Sequence, residues 1–186
     1  GASADKLRAM GHKIVPKLGA QAVTVPGAID AFCRLSADHG KLGLDAILQP
    51  ALHYADAGVP VAPRLAFDWY KGEIALTGAA RRHYLHGDKK LKTGDIFRSP
   101  GQAEVLRKIA QNGRDAFYTG EVADDMLRAL NGDGGAHAAS DFATKQSDYT
   151  LPIEGDYQGT TLLEHPPNGQ GATAILILNM MKHFNI

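Results

Sequence analysis

Apolar positions recur at helical spacing through most of the first 147 residues, and Gly, Pro and capping residues cut them into short helices. "SADKLRAMG" (3–11) puts Ser3 at a helix N-cap and Gly11 at or just past the end. "QAVTV" (21–25) reads as a short strand, stopped by Pro26-Gly27. From there to His39 a helix places Ile29, Phe32, Cys33 and Ser36 on one face, and Gly40 closes it. In "LDAILQPALHYADAG", Ile47, Leu48, Ala51, Leu52 and Ala55 share one helical face. Pro50 lies inside that pattern. It costs roughly 3 kcal/mol in a regular helix interior, so a kink or a two-piece helix is expected.

Residues 61–98 carry a weaker pattern. "APRLAFDWY" is compatible with a helix, and "GDKKLKTGD" is a turn-rich connection. Ser99-Pro100-Gly101-Gln102 then signals a helix start: a capping Ser, Pro at the first position, and Gln placed to complete a capping box. That helix buries Val105, Leu106, Ile109 and Ala110 and ends at Gly113. Another carries Val122, Ala123, Met126, Leu127 and Leu130 on one face, and "NGDGG" breaks it. Ser140 is expected to cap a short helix through Lys145. Strands enter only afterwards, as "YTLPI" and "YQGTTLLEH", with a final helix after a Gly-rich loop. The expected class is α+β, with a mainly helical region at 1–147 and strands and a helix at 148–186.

Composition narrows this little. Hydrophobic residues make up 44% and charged residues 22%, an ordinary globular balance. Lys plus Arg equals Asp plus Glu, 20 each, which argues against a nucleic-acid or membrane-surface partner held by bulk charge. A single Cys rules out an intrachain disulfide. The first residues lack the basic and apolar regions of a signal peptide.

The loop "HPPNGQGATA" (165–174) raises a sharper question, because Gly169 to Ala174 satisfies G-x-G-x-x-A. A dinucleotide fingerprint needs a strand running directly into the glycines, then a helix, a second strand, and an acidic residue about 20 residues on. Here Pro166-Pro167 separates strand from glycines, and no second strand follows within 186 residues. The loop is read as a strand-to-helix connection whose glycines permit close packing.

Other constellations reduce to structure. His83 and His86 stand among Arg81, Arg82, Lys89 and Lys90, so a solvated basic face is expected rather than a metal pair. Asn131 to Gly135 lack the later ligands of a calcium loop. Cys33 is expected as a small buried hydrophobe. Asp124 and Asp125 are adjacent and do not share a helical face. Asp30 and Asp141 lie near helix N-termini, where the dipole stabilises a carboxylate. No catalytic, cofactor-binding or metal residue is assigned.

The order of the punctuating motifs carries more than any one of them. Val25-Pro26-Gly27 is followed by Gln49-Pro50-Ala51, Ala55 with Gly58, Gly94-Asp95, and Ile109-Ala110 with Gly113. Then come Phe117-Tyr118-x-Gly120, Gly134-Gly135, Ser140-Asp141-Phe142-Ala143, Asp156-Tyr157-x-Gly159, Pro166-Pro167 and Leu178-Asn179. This series resembles the large-subunit region of the gamma-glutamyltransferases, from about Ala22 to Ile186. The family's two serines before paired glycines are replaced by Asn168-Gly169-Gln170-Gly171, which is more similar to its acylase-like branch.

The resemblance implies an N-terminal-nucleophile hydrolase, a four-layer αββα sandwich to which this stretch gives helices and a few strands. It implies a self-cleaving precursor, a bacterial cytoplasmic or periplasmic setting, and a small-molecule gamma-glutamyl substrate. The new N-terminal Thr of the small subunit would attack the substrate, its own amine serving as base. That Thr, the carboxylate-gripping Arg and the oxyanion glycines are expected outside this stretch, whose partner is the remainder of the same precursor. No cofactor, nucleic acid or membrane is implied. Alone, the stretch is expected to be inactive and, with unpaired strand edges, prone to self-association. The alternatives are a related amide acylase and a stand-alone helical interaction domain.

Overall fold

The computed structural model describes residues 3–87 and 89–184. The chain divides into two units, Gly1–Gln146 and Ser147–Ile186.

The first unit opens with α1 (Ala4–Ala9), where the Ser3 hydroxyl accepts from the Lys6 N–H at 3.2 Å. Next comes a single 3₁₀ turn, Ala20–Ala22, and then an extended Val23 and further chain, 24–27, with no ladder partner among the described residues. The strand expected at 21–25 is therefore not formed. The Val23 carbonyl is held instead by the His137 Nε2–H at 2.8 Å, and the Pro26 carbonyl by the Tyr118 hydroxyl at 2.6 Å. Helix α2 (Ala28–His39) stops at Gly40, as its pattern predicts. Ile29 packs on the core and Cys33 is half-buried, but Phe32 is largely exposed, so the expected face is only partly covered.

The Pro50 region is two helices, α3 (Leu44–Ile47) and α4 (Gln49–Ala57), joined at Leu48. Pro50 sits in the first turn of α4, where no N–H is needed. Leu52 is buried and Leu48 and Ala55 are half-buried, while Ile47 and Ala51 face solvent. The break at Leu48 takes the two pieces off a common face.

The sequence pattern, which points to strands only at 21–25 and in the C-terminal part, does not show a two-residue ribbon that the fold contains. Strand β1 (Val59–Pro60) pairs antiparallel with β2 (Ile96–Phe97). Two residues are too few to show an alternation. Gly58 permits the approach: its φ is +91°, and a Cβ there would lie 2.5 Å from Ile96 Cγ2 and 2.9 Å from the Phe97 carbonyl. Between these strands lie α5 (Pro63–Ala75), α6 (Gly78–Tyr84) and the turn-rich stretch, with Val61, Leu85 and Leu91 buried.

Helix α7 (Pro100–Asn112) begins after Ser99 and ends at Gly113, φ +68°. The capping box is not formed. Ser99 makes no cap bond; its hydroxyl pairs with His83 Nε2 at 3.2 Å. Ala103 and Ile109 are buried on the inner face, and Arg107 bridges to Asp56 of α4 at 2.8 Å. Then follow α8 (Asp115–Tyr118), α9 (Gly120–Gly132) and α10 (Ala139–Ala143). The cap of α10 is Ala138, not Ser140. The Asp141 carboxylate reaches back to the Ala138 N–H at 2.9 Å, and that bond sets the cap two residues before Ser140. Tyr118, Ala123 and Phe142 form the core, with Val25, Ile29, Phe117, Met126, Leu127 and Leu130 packed around them.

The second unit is a hairpin and a helix. Strands β3 (Ile153–Tyr157) and β4 (Thr160–Glu164) pair from Ile153↔Glu164 to Tyr157↔Thr160. Gln158 and Gly159 have φ of +48° and +80°, the left-handed pair of a type I′ turn. Of the expected strand "YTLPI" only Ile153 joins the ladder; Pro152, before it, has no N–H to give. Tyr157 ends one strand rather than starting the next. Helix α11 (Gly171–Met181) packs on β3, where Gly155 makes room for Ile175. A Cβ on Gly155 would lie 2.6 Å from Ile175 Cγ2.

Candidate functional site

A buried polar arrangement in the first unit surrounds the start of α2. Asp30, in its first turn, is 6% exposed, which desolvates a carboxylate and demands partners. The Arg114 Nε–H donates to Asp30 Oδ1. The same guanidinium bonds the carbonyls of Ala143, at 3.3 Å, and Lys145, and the carboxylate of Asp115 at 3.1 Å. Its carbon lies 4.6 Å from the centre of the Tyr118 ring, a cation–π contact. The Tyr118 hydroxyl donates to the Pro26 carbonyl and accepts from the Asp30 N–H at 3.0 Å.

One arginine and one tyrosine thus join three pieces of chain: the start of α2, the α7–α8 junction, and the end of α10. Burial alone would lower the Arg114 pKa, but its bonds to Asp30 and Asp115 outweigh that and raise it. Burial also raises the Tyr118 hydroxyl above its ordinary value. Both groups are fixed in their usual protonation states. They bind structure and leave no proton to move at neutral pH.

Beside this node is a groove of about 490 Å³, bordered by Leu7, Met10, Val23, Thr24, His137 and Lys145. His137 donates from Nε2 to the Val23 carbonyl, and its Nδ1 is buried with no hydrogen-bond partner among the described residues. Asp133 and Gly134, from "NGDGG", accept from the Ala20 N–H at 3.1 Å and from Gln21 at 3.2 Å. That loop is a helix stop, as expected, and also a clasp on the 3₁₀ turn.

The other weighed residues do not converge. Helix α6 ends at Tyr84, so His83 and His86 share no helix. His83 meets Ser99 and stacks edge-on to Phe97, and His86 pairs its backbone with Lys89. Cys33 is half-buried, and burial, then the Asp30 charge, raises its pKa, so it stays a thiol. Asp125 pairs with Arg128 at 2.8 Å. Asp141 has its pKa lowered by the Ala138 N–H bond, in keeping with its place in a helix first turn. Asp30 departs from expectation, being a buried ion-pair partner rather than a carboxylate at a solvated helix end. Arg114 was not singled out at all, since no spacing rule links residues 84 positions apart. Among the described residues no group of three or more His, Cys, Asp or Glu is placed to hold a metal ion.

The loop at 165–171 is settled by close contact. A Cβ on Gly171 would lie 2.6 Å from Glu164 Cβ and 2.9 Å from the His165 carbonyl, while one on Gly169 would meet nothing within 4 Å. Gly171 lets the helix turn back tightly against the strand it follows.

The fold is mixed helix and strand, that of an N-terminal-nucleophile hydrolase. The chain belongs to the gamma-glutamyltranspeptidase family, whose sequence model, Gamma-glutamyltranspeptidase, matches residues 1–186. It is 30% identical over 178 residues to the glutathione hydrolase-like YwrD proenzyme of Bacillus subtilis, covering 94% of this chain and 34% of that protein. It is 31% identical over 172 residues to the Acylase ACY 1 proenzyme of a Pseudomonas species, covering 91% and 31%. The cephalosporin acylase of Bacillus halodurans superposes with a TM-score of 0.88 at 33% identity, over 99% of this chain and 36% of that one. The chain therefore spans about a third of the length of these relatives.

Proposed function

We propose that the intact protein transfers or hydrolyses gamma-glutamyl groups through an acyl-enzyme, and that residues 1–186 form the helical scaffold and part of the central sheets of its large subunit. One observation carries this reading: the family match runs through all 186 residues, and the ordered motifs supply the contacts that hold the fold. Pro26 and Tyr118 share a hydrogen bond, Phe142 is fully buried, and Tyr157-Gln158-Gly159 makes the hairpin turn. A stand-alone interaction domain is disfavoured by the same full-length match.

In this reading the nucleophile is an N-terminal Thr on another stretch of the precursor, its free amine acting as base. The scissile amide carbon bonds to the Thr oxygen, backbone N–H groups hold the oxyanion, and the amine leaves with a proton. Water or an amino acid then takes the acyl group. Asp30, Arg114 and Tyr118 do no chemistry; they keep α2, α8 and α10 in register behind the reacting layers. We propose that this stretch is inactive by itself, because its most buried ionisable groups are spent on one another.

A second reading is an amide acylase. Asn168-Gly169-Gln170-Gly171 in place of the family's serines favours it, as does the 33% identity to a cephalosporin acylase. Turnover by the intact protein of a gamma-glutamyl anilide and of an anilide with a bulky acyl group separates the two. The first reading expects the larger kcat/KM on the gamma-glutamyl compound; the reverse order favours the acylase.

A further inference from the structure

The segment Val23–Val25 is β-branched and reads as a strand in sequence; in the structure Val23 is extended, and among the described residues no strand pairs with the segment. Val23 spends both its backbone groups inward: its N–H on the Ala20 carbonyl at 3.2 Å and its carbonyl on His137. Across the trans peptide that follows, the Thr24 N–H points away from the Val23 carbonyl. Thr24 is exposed, and among the described residues neither its N–H nor its C=O has a hydrogen-bond partner. These groups border the 490 Å³ groove, whose margin also carries Leu7 and Met10, with Met10 50% exposed. An unpaired extended backbone along an apolar groove is a template for strand addition.

We propose that Val23–Val25 is a sheet edge that receives a β-strand from the part of the same polypeptide lying outside residues 1–186. The occupant follows from length: relatives matched along more than nine-tenths of this chain are about three times as long, and those of Bacillus subtilis and Pseudomonas are proenzymes. The incoming strand bonds Thr24 and lays side chains on Val23, Leu7 and Met10. His137 holds the segment from behind, so that the edge is preformed. The inference rests on the reading of residues 1–186 as part of a longer enzyme.

Residue-resolved amide hydrogen exchange on the intact protein tests it. The Thr24 amide is expected to be slowed at least about a hundredfold relative to an unstructured chain, at every protein concentration. Less slowing than that overturns the proposal. So does slowing that vanishes on dilution to a single copy, since the partner strand would then come from a second molecule. Anilide turnover by the same preparation keeps the two readings apart: an active enzyme with a fast Thr24 amide refutes the strand pairing and leaves the function standing.

Discussion

Asp30 and Arg114 are 84 positions apart in the chain, and their side chains form an ion pair in which the carboxylate is almost wholly buried. Such a pair adds little net stability compared with apolar groups of the same size, yet breaking it from one side is costly. Arg114→Ala leaves the carboxylate and the carbonyls of Ala143 and Lys145 without their donor. It is expected to destabilise the protein by about 3–5 kcal/mol in urea unfolding. Arg114→Met with Asp30→Leu should lose clearly less than the two single changes summed. Additive losses would mean that the residues act independently.

Tyr118 bridges the same node through its hydroxyl. Tyr118→Phe keeps the ring but leaves the Pro26 carbonyl and the Asp30 N–H unsatisfied, an expected cost of about 1–3 kcal/mol by thermal or urea unfolding. Its raised pKa has a direction to test as well. The folded state holds this proton more tightly than the unfolded one, so the contribution is complete below the ordinary tyrosine value. It is lost as pH rises through the folded value. In an ultraviolet titration Tyr118→Phe should remove a late-ionising tyrosine.

The node also marks the limit of sequence reasoning. Helix ends at Gly40 and Gly113 and the break near Pro50 were legible, because each depends on a local backbone rule. Ser99 misled, since its hydroxyl had a competing partner in His83, sixteen residues away. The β1–β2 ribbon was too short to show a period, and Arg114 had no motif around it. The family lay in the order of many weak motifs. The contacts that explain that order, such as Tyr118 with Pro26, appear only once the chain is folded.

Ser99 yields a paired prediction. A capping Ser is ordinarily worth about 1 kcal/mol. Because Ser99 caps nothing, Ser99→Ala alone should cost no more than Ser99→Ala in a His83→Ala background plus the worth of one exposed hydrogen bond. A double-mutant cycle measures that coupling. A full capping loss that persists without His83 would contradict the observed bonding.

At Asp141 the sign with pH is opposite. Its folded pKa lies below the unfolded value of 3.8, so its stabilisation is complete above that value and fades as pH falls through the folded one. Carbon-detected NMR should find its titration midpoint below 3.8, and Asp141→Asn should remove that acid dependence from α10.

The loop after β4 is tested with alanine. Gly171→Ala forces a Cβ into Glu164 and the His165 carbonyl, with an expected cost of about 1–3 kcal/mol. Gly169→Ala meets nothing and should be tolerated. A nucleotide-cradling turn would show the loss in cofactor binding instead, and nucleotide titration by calorimetry should show no heat of binding.

The most direct measurement is hydrolysis of a gamma-glutamyl anilide by the intact protein and, in parallel, by residues 1–186 alone. A scaffold whose nucleophile resides elsewhere predicts steady release of the aniline from the intact protein and none above background from the isolated stretch. Turnover by the isolated stretch, or none by the intact protein on any gamma-glutamyl or bulky acyl amide, would contradict it.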